Sequence, residues 1–294
     1  MLGEVLTAIV TPFKADGSVD DDRFRSLARH LVENGSDGLV VTATTGESPT
    51  LSDEERIALW EAAVDEVGDR ATVIAATGTY DTHHSVELTK AAHAAGVDGF
   101  LVVTPYYNKP PPRGIVEHFK AVAAASDKPV IVYNIPQRVV LNIEPETMIA
   151  LDEIPNVQAV KQATEDLDQA RRIVNETGLA LYAGSDHLVY RFLEVGGVGG
   201  VLVYAHLVGA QVKEMIRLYR AGDVDGARAI DEELKPVVDS LGVAINPIPV
   251  KAALNLLGQE VGGLRLPLIE ASAEELSRIR SGLERAGLTA PVEV

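Results

Sequence analysis

The segment Asn156-Val157-Gln158-Ala159-Val160-Lys161-Gln162-Ala163, followed by the helical pattern Asp166–Glu176, decides how this chain folds. The apolar, β-branched run Val157–Lys161 predicts a strand, and the segment after it has the spacing of an amphipathic helix. A buried strand that leads directly into a helix is typical of a parallel sheet, because parallel strands need crossover connections. The rest of the chain repeats this unit.

Short apolar runs alternate with helical segments eight times. The predicted strands are Glu4–Val10, Gly38–Thr42, Thr72–Ala76, Gly99–Val103, Pro129–Tyr133, Val157–Lys161, Leu179–Ala183 and Gly200–Val203, with helices such as Asp21–Glu33, Asp53–Val67, Thr82–Ala95, Ile115–Ala125 and Asp166–Glu176 between them. Eight such units predict an α/β fold of the (β/α)8 TIM-barrel type. An open doubly wound sheet is the alternative, but it calls for a glycine-rich turn where this chain has Val10-Thr11-Pro12-Phe13.

Further helices follow the last predicted strand, at Leu207–Ala221, Val224–Leu241, Val250–Leu257 and Ala273–Arg285. The last three exceed what a barrel needs. We therefore predict a catalytic barrel over residues 1–223 and a helical region over 224–294 that packs on it. Ser52 with Glu55, and Ser272 with Glu275, have the spacing of a capping box, which predicts that helices begin there.

Composition excludes several classes of protein. The 294 residues are 46% hydrophobic and 23% charged, with no cysteine and a net charge of −17. The charge argues against nucleic acid as a partner, since binding it needs a basic surface. There is no apolar run long enough to span a membrane and no signal-peptide pattern, so we expect a cytoplasmic protein without a membrane partner. An anionic substrate would need locally placed positive groups.

Lys161 is an unusual residue for the end of an apolar strand. Burying an ammonium group costs several kcal/mol unless the group is paired or deprotonated. Burial also lowers the pKa of a lysine, which makes the free amine available for Schiff-base formation with a carbonyl compound. Alternation predicts that Val157 and Ala159 share a face with Lys161. The simpler interpretation is a strand-end lysine that reaches solvent or pairs with a carboxylate.

The other predicted strand ends favour the catalytic interpretation. In such barrels the active site lies at the carboxyl ends of the strands. Those ends carry Thr42-Ala43-Thr44-Thr45-Gly46-Glu47-Ser48, Val103-Thr104-Pro105-Tyr106-Tyr107-Asn108-Lys109-Pro110, Tyr133-Asn134-Ile135-Pro136-Gln137-Arg138 and Gly184-Ser185-Asp186. Alone, Tyr133 would be interpreted as a packing residue and Arg138 as a surface arginine. Together, these hydroxyls, phenols and cations, with few carboxylates, suit a small anionic oxo acid held as an imine.

These motifs resemble the dihydrodipicolinate synthase family, within the N-acetylneuraminate lyase and class I aldolase superfamily. The resemblance rests on Thr44-Thr45-Gly46-Glu47, Pro105-Tyr106-Tyr107-Asn108-Lys109-Pro110, Tyr133-Asn134-Ile135-Pro136 with Arg138, and Lys161. It extends to Asn246-Pro247-Ile248-Pro249-Val250-Lys251 and Leu264-Arg265-Leu266-Pro267. It implies condensation of pyruvate with L-aspartate 4-semialdehyde to 4-hydroxy-tetrahydrodipicolinate, the first committed step of the diaminopimelate pathway to lysine.

The resemblance also implies roles for the catalytic residues. Lys161 would form the imine with pyruvate, so that no separate cofactor and no metal are expected. Tyr133 would act as general acid and base, in a hydroxyl relay with Thr44 and Tyr107. In the family Tyr107 reaches the site from a neighbouring subunit, and we expect a homotetramer built as a dimer of dimers.

Substrate-binding roles follow in the same way. Thr45 and the backbone at Val201 would hold the pyruvate carboxylate. Gly184 would also contact substrate, although the next residue, Ser185, stands where many relatives carry an acidic residue. Arg138 would bind the carboxylate of the semialdehyde, a task that suits a planar guanidinium.

The family resemblance further implies a regulatory cleft for L-lysine between subunits. The matching positions are Ser48, Pro49, Asp53, Arg56, Tyr80, His84 and Tyr106. In lysine-sensitive relatives a glutamate at the position of His84 pairs with an amino group of the inhibitor. His84 cannot supply that charge, and Tyr80 replaces a smaller amide residue. We therefore predict weak or absent inhibition by lysine, although Asp53 and Arg56 offer partial replacements.

Three alternative functions remain. N-acetylneuraminate lyase and the 2-keto-3-deoxy sugar acid aldolases share the lysine and the tyrosine, but Val139-Val140-Leu141-Asn142 offers little to a polyhydroxylated chain. A metal-dependent aldolase would need metal ligands, and the histidines include only the adjacent pair His83-His84 without a His-x-x-x-His motif. A non-catalytic descendant would be expected to lose Lys161 or the tyrosines.

Overall fold

The computed structural model describes residues 2–289 and contains a closed, fully parallel barrel. Each strand pairs with the next in sequence, and β8 pairs with β1 to close the cylinder. The strands are β1 (Val5–Ala8), β2 (Gly38–Val41), β3 (Thr72–Ala76), β4 (Gly99–Val103), β5 (Val130–Asn134), β6 (Val157–Gln162), β7 (Ala180–Ala183) and β8 (Gly199–Leu202). The predicted TIM barrel is confirmed. The first strand, predicted over Glu4–Val10, is shorter at both ends in the structure.

The strands are apolar on both faces because both faces are covered. At least one side chain from each strand contributes to a cluster inside the barrel, which includes Leu6, Val40, Ile74, Leu101, Ile131, Ala159, Tyr182 and Val201. Their neighbours along each strand belong to a larger cluster between strands and helices, which includes Val5, Leu39, Val73, Phe100, Val130, Val160, Leu181 and Leu202. Along each strand, alternate side chains therefore point into the barrel or toward the surrounding helices.

The alternation predicted for β6 was wrong at Val157. Ala159 lies in the interior cluster, whereas Val157 packs in the cluster beneath the helices. The cause is a register shift between β5 and β6, where Val130 pairs with Val157 but Ile131 pairs with Ala159. This leaves Gln158 as an extra residue, and an extra residue in a strand reverses the facing of everything before it.

Helices follow the strands and form the outer layer. They are α1 (Asp21–Glu33), α2 (Asp53–Val67), α3 (Thr82–Ala94), α4 (Pro112–Ala123), α5 (Pro136–Val139), α6 (Pro145–Asp152), α7 (Leu167–Glu176), α8 (Val189–Glu194) and α9 (Ala205–Arg220). The predicted capping box is present at the start of α2, where the Ser52 hydroxyl accepts a hydrogen bond from the Glu55 amide and the Glu55 carboxylate accepts one from the Ser52 amide. Reciprocal capping fixes where such a helix begins.

Three more helices, α10 (Val224–Leu241), α11 (Ile248–Leu256) and α12 (Ala273–Arg285), form the C-terminal region. The second predicted capping box opens α12 at Ser272. Ala253, Ile279 and Leu283 form a small core between α11 and α12. The domain boundary at residue 223 stays a prediction, and residues 290–294 lie outside the described part of the chain. Among residues 2–289, no helix combines the length and hydropathy required to cross a membrane.

Candidate active site

Lys161 and Tyr133 lie side by side near the carboxyl ends of adjacent strands. They are direct partners in the β5–β6 register, and each is only 5% exposed. The Lys161 Nζ lies 4.2 Å from the centroid of the Tyr133 ring. Thr104 fixes the backbone beneath them, since both its amide and its hydroxyl donate to the Tyr133 carbonyl at 3.0 Å. The barrel thus brings a primary amine and a phenol together in a nearly dry interior.

A cavity of about 220 Å³ opens at this end of the barrel. Tyr133, Thr44 and Arg138 line it, together with the apolar residues Leu101, Ile135 and Val139. Arg56 and Tyr106 also line it. Two guanidinium groups on an apolar wall give the cavity local positive charge despite the acidity of the whole chain. The volume suits a small anionic molecule.

Thr45 and Arg138 are joined through one residue of the C-terminal region. The Asn246 side-chain Nδ2 donates to Thr45 Oγ1 at 3.0 Å, and the Asn246 carbonyl accepts from Arg138 Nη2 at 3.0 Å. Thr45 is buried, whereas Arg138 is exposed in the short helix α5. The loop that precedes α11 therefore fixes both predicted carboxylate-binding groups.

Val201 and Gly184 complete the predicted substrate contacts. Val201 is 1% exposed in β8, with its side chain in the interior cluster. Gly184 follows β7, and a Cβ atom there would lie 2.7 Å from the Cβ of Ala163, so the close approach requires glycine.

Asp186, two residues after Gly184, accepts hydrogen bonds from the amides of Val203 and Tyr204, both at 2.9 Å. Burial raises the pKa of Asp186 to about 6.

Tyr107 does not join the cavity of its own chain. Its side chain is 90% exposed, and its backbone lies in the left-handed region with φ of 70°. The next residue, Asn108, donates through Nδ2 to the Tyr80 carbonyl at 2.9 Å. Tyr107 is therefore not among the residues that line the cavity beside Tyr133.

Four of the seven predicted regulatory residues, Ser48, Pro49, Arg56 and Tyr106, line the same cavity, and side-chain contacts join the others to that group or to each other. The seven are Ser48, Pro49, Asp53, Arg56, Tyr80, His84 and Tyr106. The His84 Nε2 lies 2.8 Å from Asp53 Oδ2, and the Tyr80 and Tyr106 rings meet edge to face at 5.4 Å. Arg56 is 8% exposed and donates from Nη2 to the Ser48 carbonyl at 2.7 Å. Burial lowers the pKa of Arg56 and raises that of Tyr106.

Sequence reasoning missed the carboxylates at this end of the barrel. Glu47 is buried and forms an ion pair with Lys251 of α11 at 2.6 Å. Both residues stand in motifs that carry the family resemblance, but only the fold brings them into contact. The sequence placed Asp186 at a strand end. It did not predict that the Asp186 carboxylate would accept hydrogen bonds from the amides of the loop after β8. Among residues 2–289, no group of three or more acidic or histidine side chains is arranged to hold a metal ion.

Comparisons with known proteins agree with this geometry. The sequence profile described as "Dihydrodipicolinate synthetase family" matches residues 1–286. The 4-hydroxy-tetrahydrodipicolinate synthase of Moorella thermoacetica is 49% identical over 288 residues, which cover 97% of this chain and 99% of that protein.

Solved structures give the same result. The lysine-bound dihydrodipicolinate synthase of Cyanidioschyzon merolae is 43% identical, with a TM-score of 0.96 over 98% of this chain and 99% of that one. The chloride-inhibited enzyme of Acinetobacter baumannii, solved with pyruvate, is 34% identical, with a TM-score of 0.95 over 98% and 100%.

Proposed function

This chain belongs to the dihydrodipicolinate synthetase family, and we propose that it is a lyase that condenses pyruvate with L-aspartate 4-semialdehyde to give 4-hydroxy-tetrahydrodipicolinate. That reaction opens the diaminopimelate route to lysine. The observation that carries the proposal is the buried pair of Lys161 and Tyr133, with Nζ 4.2 Å from the ring centroid, next to a cavity that contains Arg138.

In the first step, the Lys161 amine adds to the ketone carbon of pyruvate. Loss of water gives a protonated imine on Nζ, which acts as the electron sink for the next step. Loss of a proton from the pyruvate methyl group then gives an enamine. No separate cofactor is needed, because the covalent imine itself carries the chemistry.

Tyr133 is the proposed acid and base for these proton transfers. Its register position opposite Lys161 supports this role, because the phenol is held beside the amine by the sheet itself. Thr44 lines the same cavity and would extend the relay. Tyr107 would complete the relay from a neighbouring subunit, and its 90% exposure supports this proposal because the ring is not used by its own chain. The active form is then at least a dimer, and we propose a homotetramer.

Each substrate carboxylate has a proposed partner. Thr45 and the backbone at Val201 would hold the pyruvate carboxylate, and Gly184 would contact the second substrate. Arg138 would bind the carboxylate of the semialdehyde through its planar guanidinium. The enamine attacks the aldehyde carbon, the substrate amine attacks the imine carbon, and ring closure releases the Lys161 amine.

A sugar-acid aldolase is the second candidate from the same superfamily. Val139 lines the cavity, and the nearby polar residue Asn142 is already occupied, since its Oδ1 accepts from Asn134 at 2.8 Å and its Nδ2 donates to Glu144 at 3.0 Å. This wall offers few hydrogen-bonding groups to a polyhydroxylated substrate.

The composition of the chain supports a cytoplasmic location.

A coupled assay separates the two candidates. Product formation from pyruvate and aspartate semialdehyde would be measured beside cleavage of N-acetylneuraminate and of 2-keto-3-deoxygluconate by the same preparation. We expect turnover with the semialdehyde and little cleavage of either sugar acid. Faster cleavage of a sugar acid would replace the proposal with the aldolase alternative.

A further inference from the structure

The turn after β2 is strained at both ends. The 42–47 turn, Thr42-Ala43-Thr44-Thr45-Gly46-Glu47, has φ of 57° at Thr42 and at Glu47, in the left-handed region. Left-handed backbone is unfavourable for a residue with a Cβ, and it persists only where the surroundings fix it. This turn carries Thr44 and Thr45, two proposed reaction residues.

Buried side-chain contacts fix each strained residue. Trp60 Nε1 donates to Thr42 Oγ1 at 2.8 Å. At the other end, Glu47 Oε1 lies 2.6 Å from Lys251 Nζ, with the two side chains 0% and 1% exposed. Glu47 Oε2 accepts from the Arg265 amide at 3.0 Å. One carboxylate thus joins the turn to α11 and to the segment that follows it.

Lys251 is itself held in one position. Its Nζ donates to the Gly263 carbonyl at 2.7 Å and lies 4.1 Å from the centroid of the Phe13 ring. Burial lowers the pKa of Lys251 to about 8, although Glu47 opposes the change. The desolvation cost of such a pair offsets much of its attraction, so the pair adds little net stability. The main effect of the Glu47–Lys251 pair is to fix the distance between the turn and α11.

A second link runs beside the first. Asn246, just before α11, donates to Thr45 and accepts from Arg138. Lys251 in α11 and Asn246, two residues before that helix, therefore contact the turn at Glu47 and at Thr45. If Glu47 were released from Lys251, the strained backbone would lose one of the two side-chain contacts that hold it, and only the hydrogen bond from the Arg265 amide would be left.

We propose that Glu47 and Lys251 are a positioning pair for the reaction, which holds the 42–47 turn against α11 and keeps the Thr44 and Thr45 hydroxyls aimed at pyruvate. The role assigned to the two hydroxyls rests on the proposed function. The pair itself does not touch substrate.

The test uses the variants Glu47→Gln, Lys251→Met and the double variant. Lys213→Met is the matched control, because it removes an ion pair with Asp37 by the same substitution in α9. The readouts are KM for pyruvate, kcat, the unfolding temperature, and amide hydrogen exchange in the peptide that contains the turn. Hydrogen exchange is measured without substrate. If the double variant does not fold, Glu47→Gln alone carries the test through KM and hydrogen exchange, since it keeps the size of the side chain. Its unfolding temperature is expected to fall, because Lys251 is left buried without its charged partner.

We expect faster exchange in the turn and a rise of about tenfold to a hundredfold in KM for pyruvate in the double variant, with an unfolding temperature near that of the wild type. Lys213→Met should change neither the hydrogen exchange of the turn nor KM for pyruvate. Unchanged exchange in the turn, or faster exchange with unchanged KM, would overturn the positioning role. A wild-type protein that is inactive on pyruvate, with faster exchange in the double variant, would refute the proposed function but leave the turn's anchoring intact.

Discussion

Replacement of Arg138 by alanine should separate the second substrate from the first. The guanidinium donates from Nη2 to the Asn246 carbonyl at 3.0 Å and has no carboxylate partner within residues 2–289. It is exposed and lies at the cavity that contains Tyr133. A charged donor held in place without an anion is prepared to bind the carboxylate of an incoming molecule.

The size of the effect follows from the kind of hydrogen bond that the substitution removes. A hydrogen bond to a charged group is worth about 1.5–3 kcal/mol. Because each 1.4 kcal/mol is about a factor of ten in rate, Arg138→Ala should lower kcat/KM for the semialdehyde roughly tenfold to a hundredfold. The exposure of Arg138 argues against a larger effect. Stability should change little, since the freed Asn246 carbonyl is near solvent.

The assay measures kcat/KM for the semialdehyde at saturating pyruvate, and separately the yield of the borohydride-reduced pyruvate adduct. Arg138→Lys serves as the control, since it keeps the charge but not the planar fork. Its kcat/KM should fall less than that of the alanine variant. An unchanged kcat/KM for the semialdehyde, or an equal fall in adduct yield, would refute the role assigned to Arg138.

Three further predictions concern other parts of the molecule. Lys161→Ala and Lys161→Arg should both retain less than about a tenth of the wild-type kcat in steady-state assays, since an alanine has no amine and a guanidinium stays protonated; a barrier change under ~1.4 kcal/mol would contradict the mechanism. A lysine titration should show half-inhibition no lower than about 1 mM, roughly −4 kcal/mol, because His84 lies 2.8 Å from Asp53 and occupies the carboxylate that could have replaced the missing glutamate. Burial lowers the pKa of His118 from 6.5 to about 4, so the folded state binds fewer protons than the unfolded state between those values, and stability should fall as pH is lowered from 6.5 to 4. That shift is worth about 3 kcal/mol, and urea unfolding of His118→Gln should show a shallower pH dependence; an identical dependence would contradict it.

Local signals made much of the fold predictable. The bounds predicted for α1, α2, α10 and α12 match the structure, because capping residues and apolar spacing mark the ends of these helices. The strands β3 and β4 also match, since each is a short apolar run between polar turns. The facing of Val157 was not predictable, because the bulge at Gln158 depends on how β6 pairs with β5.

The candidate site was predictable only in part. Lys161 and Tyr133 could be identified from strand ends, because the barrel brings those ends together. The pairing of Glu47 with Lys251 could not, since nothing local marks two residues so distant in sequence as partners. Asn246 lies in a motif that carries the family resemblance, but its hydrogen bonds with Thr45 and Arg138 were not predicted. Tyr107 stays a prediction, because its role depends on a second subunit.

Borohydride reduction in the presence of pyruvate, followed by intact mass and peptide mapping, tests the Schiff-base mechanism most directly. We expect one reduced pyruvate adduct per chain, on the peptide that contains Lys161, and none in Lys161→Ala. An unmodified wild-type chain, or an adduct on a different lysine, would contradict the mechanism.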